Sequence, residues 1–387
     1  MKYNYSKWPS YSKREISLVS DVLGSRKVNY LVGKKGNILE EKFKNKMKLN
    51  YTCLVSNGTL GIELALMALN LTKKDEVIVT PRSYISSVSP VIKLGAKPIF
   101  ADIDNNFNLS PESIRRKITK NTKAIICVHL YGYPCEMKEI INIKKEHNIY
   151  LIEDCSQAHG AKIDNNYVGS FGDIAVWSFC NDKIISSGGE GGIVSCKTKR
   201  LYDLIWSYKD IGKNFSKFKS KNSNNLFPYI HDNIGTNARM TEMQSVLALS
   251  HLSKLDKFLK FRNRNANIMN FYLKNISSII IPFVPKNIQH AYYRYVITLN
   301  FSNIRKNFTI KKIIKIINSQ DIYCNVGGCP EIYKEKIFKN YKKNINLKFA
   351  PYYKNKTLSF LVDQTISEKS MIIIAKKLSK IFSYITK

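Results

Sequence analysis

Through the first half of the chain, short apolar runs alternate with segments whose apolar positions recur at helical spacing. Tyr51–Val55, Glu76–Thr80, Pro98–Ala101, Ala124–His129 and Ile149–Glu153 have strand length and many β-branched residues. Between them, Leu60–Asn70, a stretch ending at Leu94 and the region near Met137–His147 read as helices. Such alternation predicts βαβ units and a mostly parallel sheet covered by helices, hence an α/β fold. From Thr241 to Leu273 the period is helical throughout, with Met243, Val246, Leu247, Leu249, Leu252 and Leu255 in step. We read one long helix there and place inside it the junction between a large domain, residues 1–255, and a smaller α+β domain, residues 256–387. The smaller domain draws on Tyr292–Leu299, Ile310–Ile317 and Glu368–Phe382, and roughly residues 1–30 are expected to pack toward it.

A length of 387 residues suits two domains, given about 150 residues per domain. At 44% hydrophobic, 24% charged and 11% aromatic, the composition is that of a globular protein, not of a disordered chain or a disulfide miniprotein. No apolar stretch approaches the roughly 18 residues of a membrane span, and the opening MKYNYSKWPSY lacks the apolar run of a signal peptide. The expected compartment is therefore the cytoplasm, without membrane insertion. The eight cysteines (Cys53, Cys127, Cys135, Cys155, Cys180, Cys196, Cys324, Cys329) form no CxxC pair and have no zinc-like histidine partner, so we read most as core thiols and expect no metal.

The 62 basic residues exceed the 29 acidic ones by 33, a charge that ordinarily points to nucleic acid or an anionic membrane. The lysines are spread along the chain amid abundant Asn and Ile, as an A+T-rich coding sequence would produce, and no specific nucleic-acid partner is expected. One cluster is denser: Lys209, Lys213, Lys217, Lys219 and Lys221 overlap a Ser- and Asn-rich segment, residues 213–225. It reads as a mobile basic loop, either simply solvated or attracting an anionic substrate such as a nucleotide diphosphate.

Three segments carry candidate chemistry. Ser56-Asn57-Gly58-Thr59 lies between an apolar strand and an apolar helix, where free backbone N–H groups and the positive helix end can hold a phosphate. The same residues also read as an ordinary cap by Asn57 or Thr59. Leu151-Ile152-Glu153-Asp154 ends a strand in two carboxylates that face opposite ways, with Asp154 where ligands of parallel sheets bind. The nearby His159 reads as a satisfied structural histidine. In the third segment an apolar strand delivers Ser178, a short turn delivers Lys183, and the glycine-dense run ending at Gly192 turns the chain back. A lysine in a partly dry polar pocket can lose its proton and attack a carbonyl as a Schiff-base nucleophile. A phosphate cradle, an acid and an amine are together the parts that hold pyridoxal 5'-phosphate (PLP), whose ring nitrogen needs the acid and whose aldehyde needs the lysine.

On these residues the sequence resembles the sugar-nucleotide aminotransferases of the DegT/DnrJ/EryC1/StrS family, within the fold-type I PLP enzymes. The likeness covers nearly the whole chain and is carried by SNGTLGIELALMAL, DEVIVTPRSYISSVSPVIKLGAKPIFADID, IEDCSQAHGA, VGSFGDIAVWSFCNDKIISSGGEGG and GTNARMTEMQS. It implies a three-layer, aspartate-aminotransferase-like large domain. It implies that Lys183 binds the cofactor and shuttles the proton, that Asp154 pairs with the pyridinium nitrogen, and that Gln157 lies near the ring hydroxyl. Gly58, Thr59 and Leu60, helped by Ser178, would hold the phosphate. Tyr84 takes the place of the aromatic that stacks on the ring. Asn237 matches an asparagine that reaches the phosphate across a dimer interface, which implies a homodimer with shared active sites. Where many relatives have His-Pro, this chain has Cys180 and Asn181, and neither is given a role.

In the family's dehydratase branch a histidine replaces the lysine and the enzyme works with pyridoxamine phosphate, so Lys183 argues for transamination, in which pyridoxamine phosphate is only the intermediate form. The expectation is an enzyme that moves an amino group from glutamate to a nucleotide-linked 4-keto-6-deoxy sugar for surface-polysaccharide synthesis. Gly327, Gly328, Cys329 and Glu331–Phe338 are expected to shape the sugar pocket. The rival readings are a sugar dehydratase on the same fold and, on charge alone, a non-catalytic nucleic-acid-binding protein.

Overall fold

The computed structural model describes residues 5–220, 229–342 and 345–387. Its main sheet contains β1 (Tyr51–Val55), β2 (Glu76–Val79), β3 (Lys97–Phe100), β4 (Thr122–Val128), β5 (Tyr150–Asp154), β6 (Ile174–Ser178) and β7 (Gly192–Cys196). The spatial order is β1-β7-β6-β5-β4-β2-β3. Every neighbouring pair from β6 through β5, β4 and β2 to β3 is parallel, whereas β7 runs antiparallel to both β6 and β1.

Alternate strand positions feed opposite apolar layers. Val55, Val79, Ile126, Ile152, Val176 and Val194 join one core with Ile62 and Leu66 of the helix Gly58–Met67. Leu54, Trp177 and Ile193, and likewise Ile78, Ile125 and Leu151, pack on the other face. This explains the continuous apolar runs of the sequence, because with helices over both faces neither set of side chains meets water. It also fixes the location of the polar chemistry: the parallel strands all end at one sheet edge, and the segments after β1, β2, β4, β5 and β6 gather there.

The smaller sheet consists of β8 (Ile279–Ile280), β9 (Tyr295–Leu299), β10 (Cys324–Asn325) and β11 (Thr357–Phe360), in the order β8-β9-β11-β10 and antiparallel throughout. Its core is completed by helices Ile310–Asn318 and Glu368–Ile385 and by the end of Leu255–Leu273. The strand expected from Tyr292 begins at Tyr295 instead, because Tyr292 is left-handed (φ 46) and bends the chain before pairing starts.

The long helix expected from Thr241 to Leu273 is two helices, Glu242–Ser253 and Leu255–Leu273, interrupted at Lys254 (φ −100, ψ 0). A one-residue interruption leaves the apolar spacing almost in phase, so the pattern alone does not reveal it. The N-terminal segment is divided in its contacts. Ser6 Oγ donates to Asp363 at 2.6 Å and Lys7 N–H to Thr365 at 2.9 Å, both in the C-terminal part. Helix Lys13–Gly24 instead packs on Glu242–Ser253, where Glu15 accepts from Ser250 at 2.9 Å and Lys254 at 2.7 Å. The basic cluster is not one solvated loop. Lys209 is fully buried, with its ammonium 4.0 Å from the centre of the Tyr30 ring, and Phe215–Lys219 is a short helix capped by Asn214. Lys221 and the rest of the segment to residue 225 lie outside the described residues.

Candidate functional site

The helix Gly58–Met67 starts directly after β1. Asn57 is extended and its side-chain oxygen accepts from Leu60 N–H at 2.9 Å, so the cap uses the donor of Leu60. The N–H groups of Gly58 and Thr59 have no acceptor within a helix, and both residues line a cavity at the sheet edge. Leu60 does not line that cavity. A side chain at Gly58 would place its Cβ 2.8 Å from the Ser178 Cβ. Glycine is therefore what lets the helix start approach the end of β6, where the Ser178 hydroxyl also lines the cavity.

Asp154 ends β5 and is only 4% exposed. It accepts from Ser87 Oγ at 2.7 Å and from Ser156 N–H at 3.1 Å, and no cation pairs with it among the described residues. Glu153 faces the other way, as adjacent strand positions must. Its carboxylate accepts from Gly169, Phe171 and Gly172 N–H groups and lies 2.9 Å from His129 Nε2. Those backbone donors account for Glu153 as a structural acid. Gln157 lines the cavity, and its side-chain oxygen accepts from Tyr131 N–H at 2.8 Å, which orients the amide. His159 is fully buried, as a structural histidine is, and burial pulls its pKa down to about 3.

The turn from Phe179 to Gly191 carries Lys183. Phe179 N–H donates to Gly191 O at 2.8 Å, Ser187 N–H to Phe179 O at 3.0 Å and Lys183 N–H to Cys180 O at 3.0 Å. From outside, Trp8 Nε1 donates to Lys183 O at 2.9 Å, so the N-terminal segment holds the turn. The lysine side chain is 16% exposed, with Nζ 3.5 Å from Asp182 Oδ1 and 3.4 Å from the Tyr293 hydroxyl. Burial alone lowers its pKa, but Tyr293 and Asp182 outweigh burial and hold it above the ordinary lysine value. Protonation of the free amine is thus favoured beside Asp182, a partner the sequence reading did not assign.

The cavity measures about 510 Å³ and has two walls. The large-domain wall brings together Gly58, Thr59, Asp154, Gln157, Ser178 and Lys183, with Tyr84 at the rim, 69% exposed. The opposite wall comes from the C-terminal part: Tyr293, Arg294, Tyr323, Asn325, Ser359, and the Gly327-Gly328 turn. Asn237 is not in this cavity; it is exposed, and its backbone bridges to Asp210. Sequence reasoning missed Asp182, Tyr293, Arg294, Tyr323, Asn325 and Ser359. The one signal available was Arg294, a charge at the head of an otherwise apolar strand, where it needs a partner. An anion-holding helix start kept open by Gly58, a buried acid with no cation and a reachable lysine amine form a donor set that fits PLP.

The family model described as the DegT/DnrJ/EryC1/StrS aminotransferase family matches residues 9–379. The chain is 36% identical over 345 residues to a GDP-perosamine synthase of Escherichia coli O157:H7, covering 88% of this chain and 90% of that protein. It is 34% identical over 271 residues to a dTDP-3-amino-3,6-dideoxy-alpha-D-galactopyranose transaminase of Aneurinibacillus thermoaerophilus, covering 69% and 70% of the two chains. Among solved structures, the aminotransferase from Psychrobacter cryohalolentis superposes with a TM-score of 0.95 at 36% identity, over 98% of this chain and 99% of that one.

Proposed function

The chain belongs to the DegT/DnrJ/EryC1/StrS aminotransferase family, and from that premise we propose that it uses PLP to move an amino group from glutamate to a nucleotide-linked 4-keto-6-deoxy sugar for surface-polysaccharide synthesis. One observation carries the reading: the Gly58–Thr59 helix start, the Asp154 carboxylate and the Lys183 amine line a single cavity. PLP, when bound, supplies an electron-withdrawing ring that makes the proton on the amine-bearing carbon acidic. The Gly58 and Thr59 N–H groups and the Ser178 hydroxyl hold the phosphate, and Asp154 keeps the ring nitrogen protonated. Gln157 stands by the ring hydroxyl, and Tyr84 covers the ring face. Lys183 Nζ carries the proton to and from the substrate carbon, a task that requires the neutral amine and hence release from Asp182.

Asn237, exposed and outside its own cavity, reaches the cofactor phosphate of a second copy in a symmetric dimer. The large domain runs over residues 1–255 and the small one over 256–387, a boundary beside the break at Lys254. A cytoplasmic setting suits eight free cysteines, and among the described residues no helix is long and apolar enough to cross a membrane.

The test has two parts. Borohydride reduction of the PLP-treated protein, followed by peptide mapping, should find the cofactor mass on Lys183. Incubation with nucleotide keto sugars and glutamate should yield, by mass spectrometry, a product in which an oxygen is replaced by an amine. Attachment elsewhere, or a product that has lost oxygen without gaining nitrogen, overturns the reading, and the second result assigns dehydration.

A further inference from the structure

We propose that Arg294 reads the carboxylate of the amino donor, an inference that rests on the aminotransferase reading above. Among the described residues lining the cavity, Lys183 and Arg294 are the only cations. Both address the same carboxylate: Arg294 Nη2 donates to Asp182 Oδ2 at 3.1 Å, and Lys183 Nζ lies 3.5 Å from Asp182 Oδ1. Lys183 and Arg294 thus share one carboxylate, and once Lys183 is joined to the cofactor Arg294 is the cation left among the described residues lining a cavity that Asp154 and Glu190 also line. The Arg294 side chain is only 16% exposed, so water does little to weaken its attraction for an incoming carboxylate.

The guanidinium is also held in place. Its carbon lies 4.8 Å from the Tyr293 ring centre and 5.6 Å from that of Tyr323, an arrangement that restrains its plane while a carboxylate takes the fork. Strand register extends the same surface. Val296, two residues after Arg294, pairs with Ser359, and Ser359 pairs with Asn325. Ser359 and Asn325 line the cavity, and among the described residues the buried Ser359 hydroxyl has no partner. A hydroxyl that lines the cavity with no partner among the described residues is satisfied by a ligand oxygen.

Two anions could arrive: the carboxylate of an amino acid or the diphosphate of a nucleotide sugar. An α-amino acid carries its carboxylate on the carbon that bears the amine, so the group that reads it must stand beside Lys183. Arg294 does so through the Asp182 carboxylate they share. The diphosphate lies across the sugar ring from the keto carbon and cannot meet this cluster while that carbon is at Lys183. The geometry favours the amino donor.

Arg294→Leu in the full-length enzyme tests the assignment, with Arg294→Lys as the charge-retaining control and Arg294→Gln as a second neutral variant should the leucine form fail to fold. The neutral variants are expected to raise KM for glutamate by about 10- to 100-fold, the loss of charge-assisted hydrogen bonds. KM for the keto sugar should stay within about threefold, and Arg294→Lys should fall between. Calorimetric titration with glutarate, a dicarboxylate without an amine, gives a readout free of turnover, and its Kd should weaken about tenfold or more in the neutral variants. Glutamate KM and glutarate Kd both unchanged would overturn the proposal. A loss confined to the nucleotide sugar would overturn it too, by giving the guanidinium to the diphosphate. Failure of the aminotransferase reading shows separately, in the wild-type lysine trapping.

Discussion

The two walls of the cavity are built on different principles. On the large-domain wall, the segments that carry the phosphate cradle, the acid and the lysine are set by the backbone: the Asn57 cap sets the helix start, Asp154 ends a strand, and three backbone bonds set the lysine turn. On the opposite wall the groups are side chains that hold one another, with Tyr293 and Arg294 both donating to Asp182 and two tyrosine rings flanking the guanidinium. Backbone-held groups keep their geometry whatever is bound. Side-chain clusters can be exchanged residue by residue without disturbing the sheet. The difference suggests a division of labour, with common chemistry on the first wall and selection of the reactant on the second.

The division can be broken most severely at Lys183. Lys183→Ala should lose all measurable amine transfer by product mass, while its thermal midpoint shows a loss of only about 1 kcal/mol, because Asp182 keeps Tyr293 and Arg294. Retained turnover would remove the chemical role of that wall. Asp154→Ala should slow turnover by about 10²- to 10³-fold with glutamate KM within about threefold, as removal of a charge-stabilising group does. A rise in KM alone would move Asp154 from chemistry to selection.

Smaller effects sharpen the contrast. Glu15 anchors the N-terminal segment that bonds to the lysine turn. Burial would raise its pKa, but Lys254, Ser12 and Ser250 more than reverse this and hold it at about 2 instead of 4.5. The unfolded chain therefore binds the proton more readily between those values, so stability rises with pH across the window and is lost as pH falls from 4.5 toward 2. Denaturation midpoints at pH 3 and pH 7 should differ less in Glu15→Gln than in the wild type, and an equal difference would deny Glu15 this anchoring. The smallest effect is expected on the second wall: Ser359→Ala, which breaks no hydrogen bond, should change stability by less than about 0.5 kcal/mol.

The first wall was legible in the sequence because strand ends and turns have local signatures: small residues after an apolar run, an acid at a strand terminus, glycines around a lysine. Even there the family resemblance assigns Leu60 to the phosphate, whereas its N–H is taken by Asn57. Lys209 was counted with the solvated lysines because composition does not show an ammonium stacked under Tyr30. The second wall was not legible. Val296, Ser359 and Asn325 come together only through the register of β9, β11 and β10, and two of those strands are too short or too distant in sequence to announce their pairing.

The direction of β7 has a consequence for how often the lysine must be put in place. A parallel successor to β6 would have to start at the far edge of the sheet, and the connection would carry the chain away from the cavity. Because β7 runs antiparallel to β6, both stems of the turn stand at the cavity edge and are tied by the Phe179–Gly191 bond, so the amine hangs from a short closed loop. The conformational freedom of that loop is surrendered when the chain folds, before any reactant arrives. It is not given up again at each catalytic cycle, and the entropic part of every encounter falls on the substrate alone.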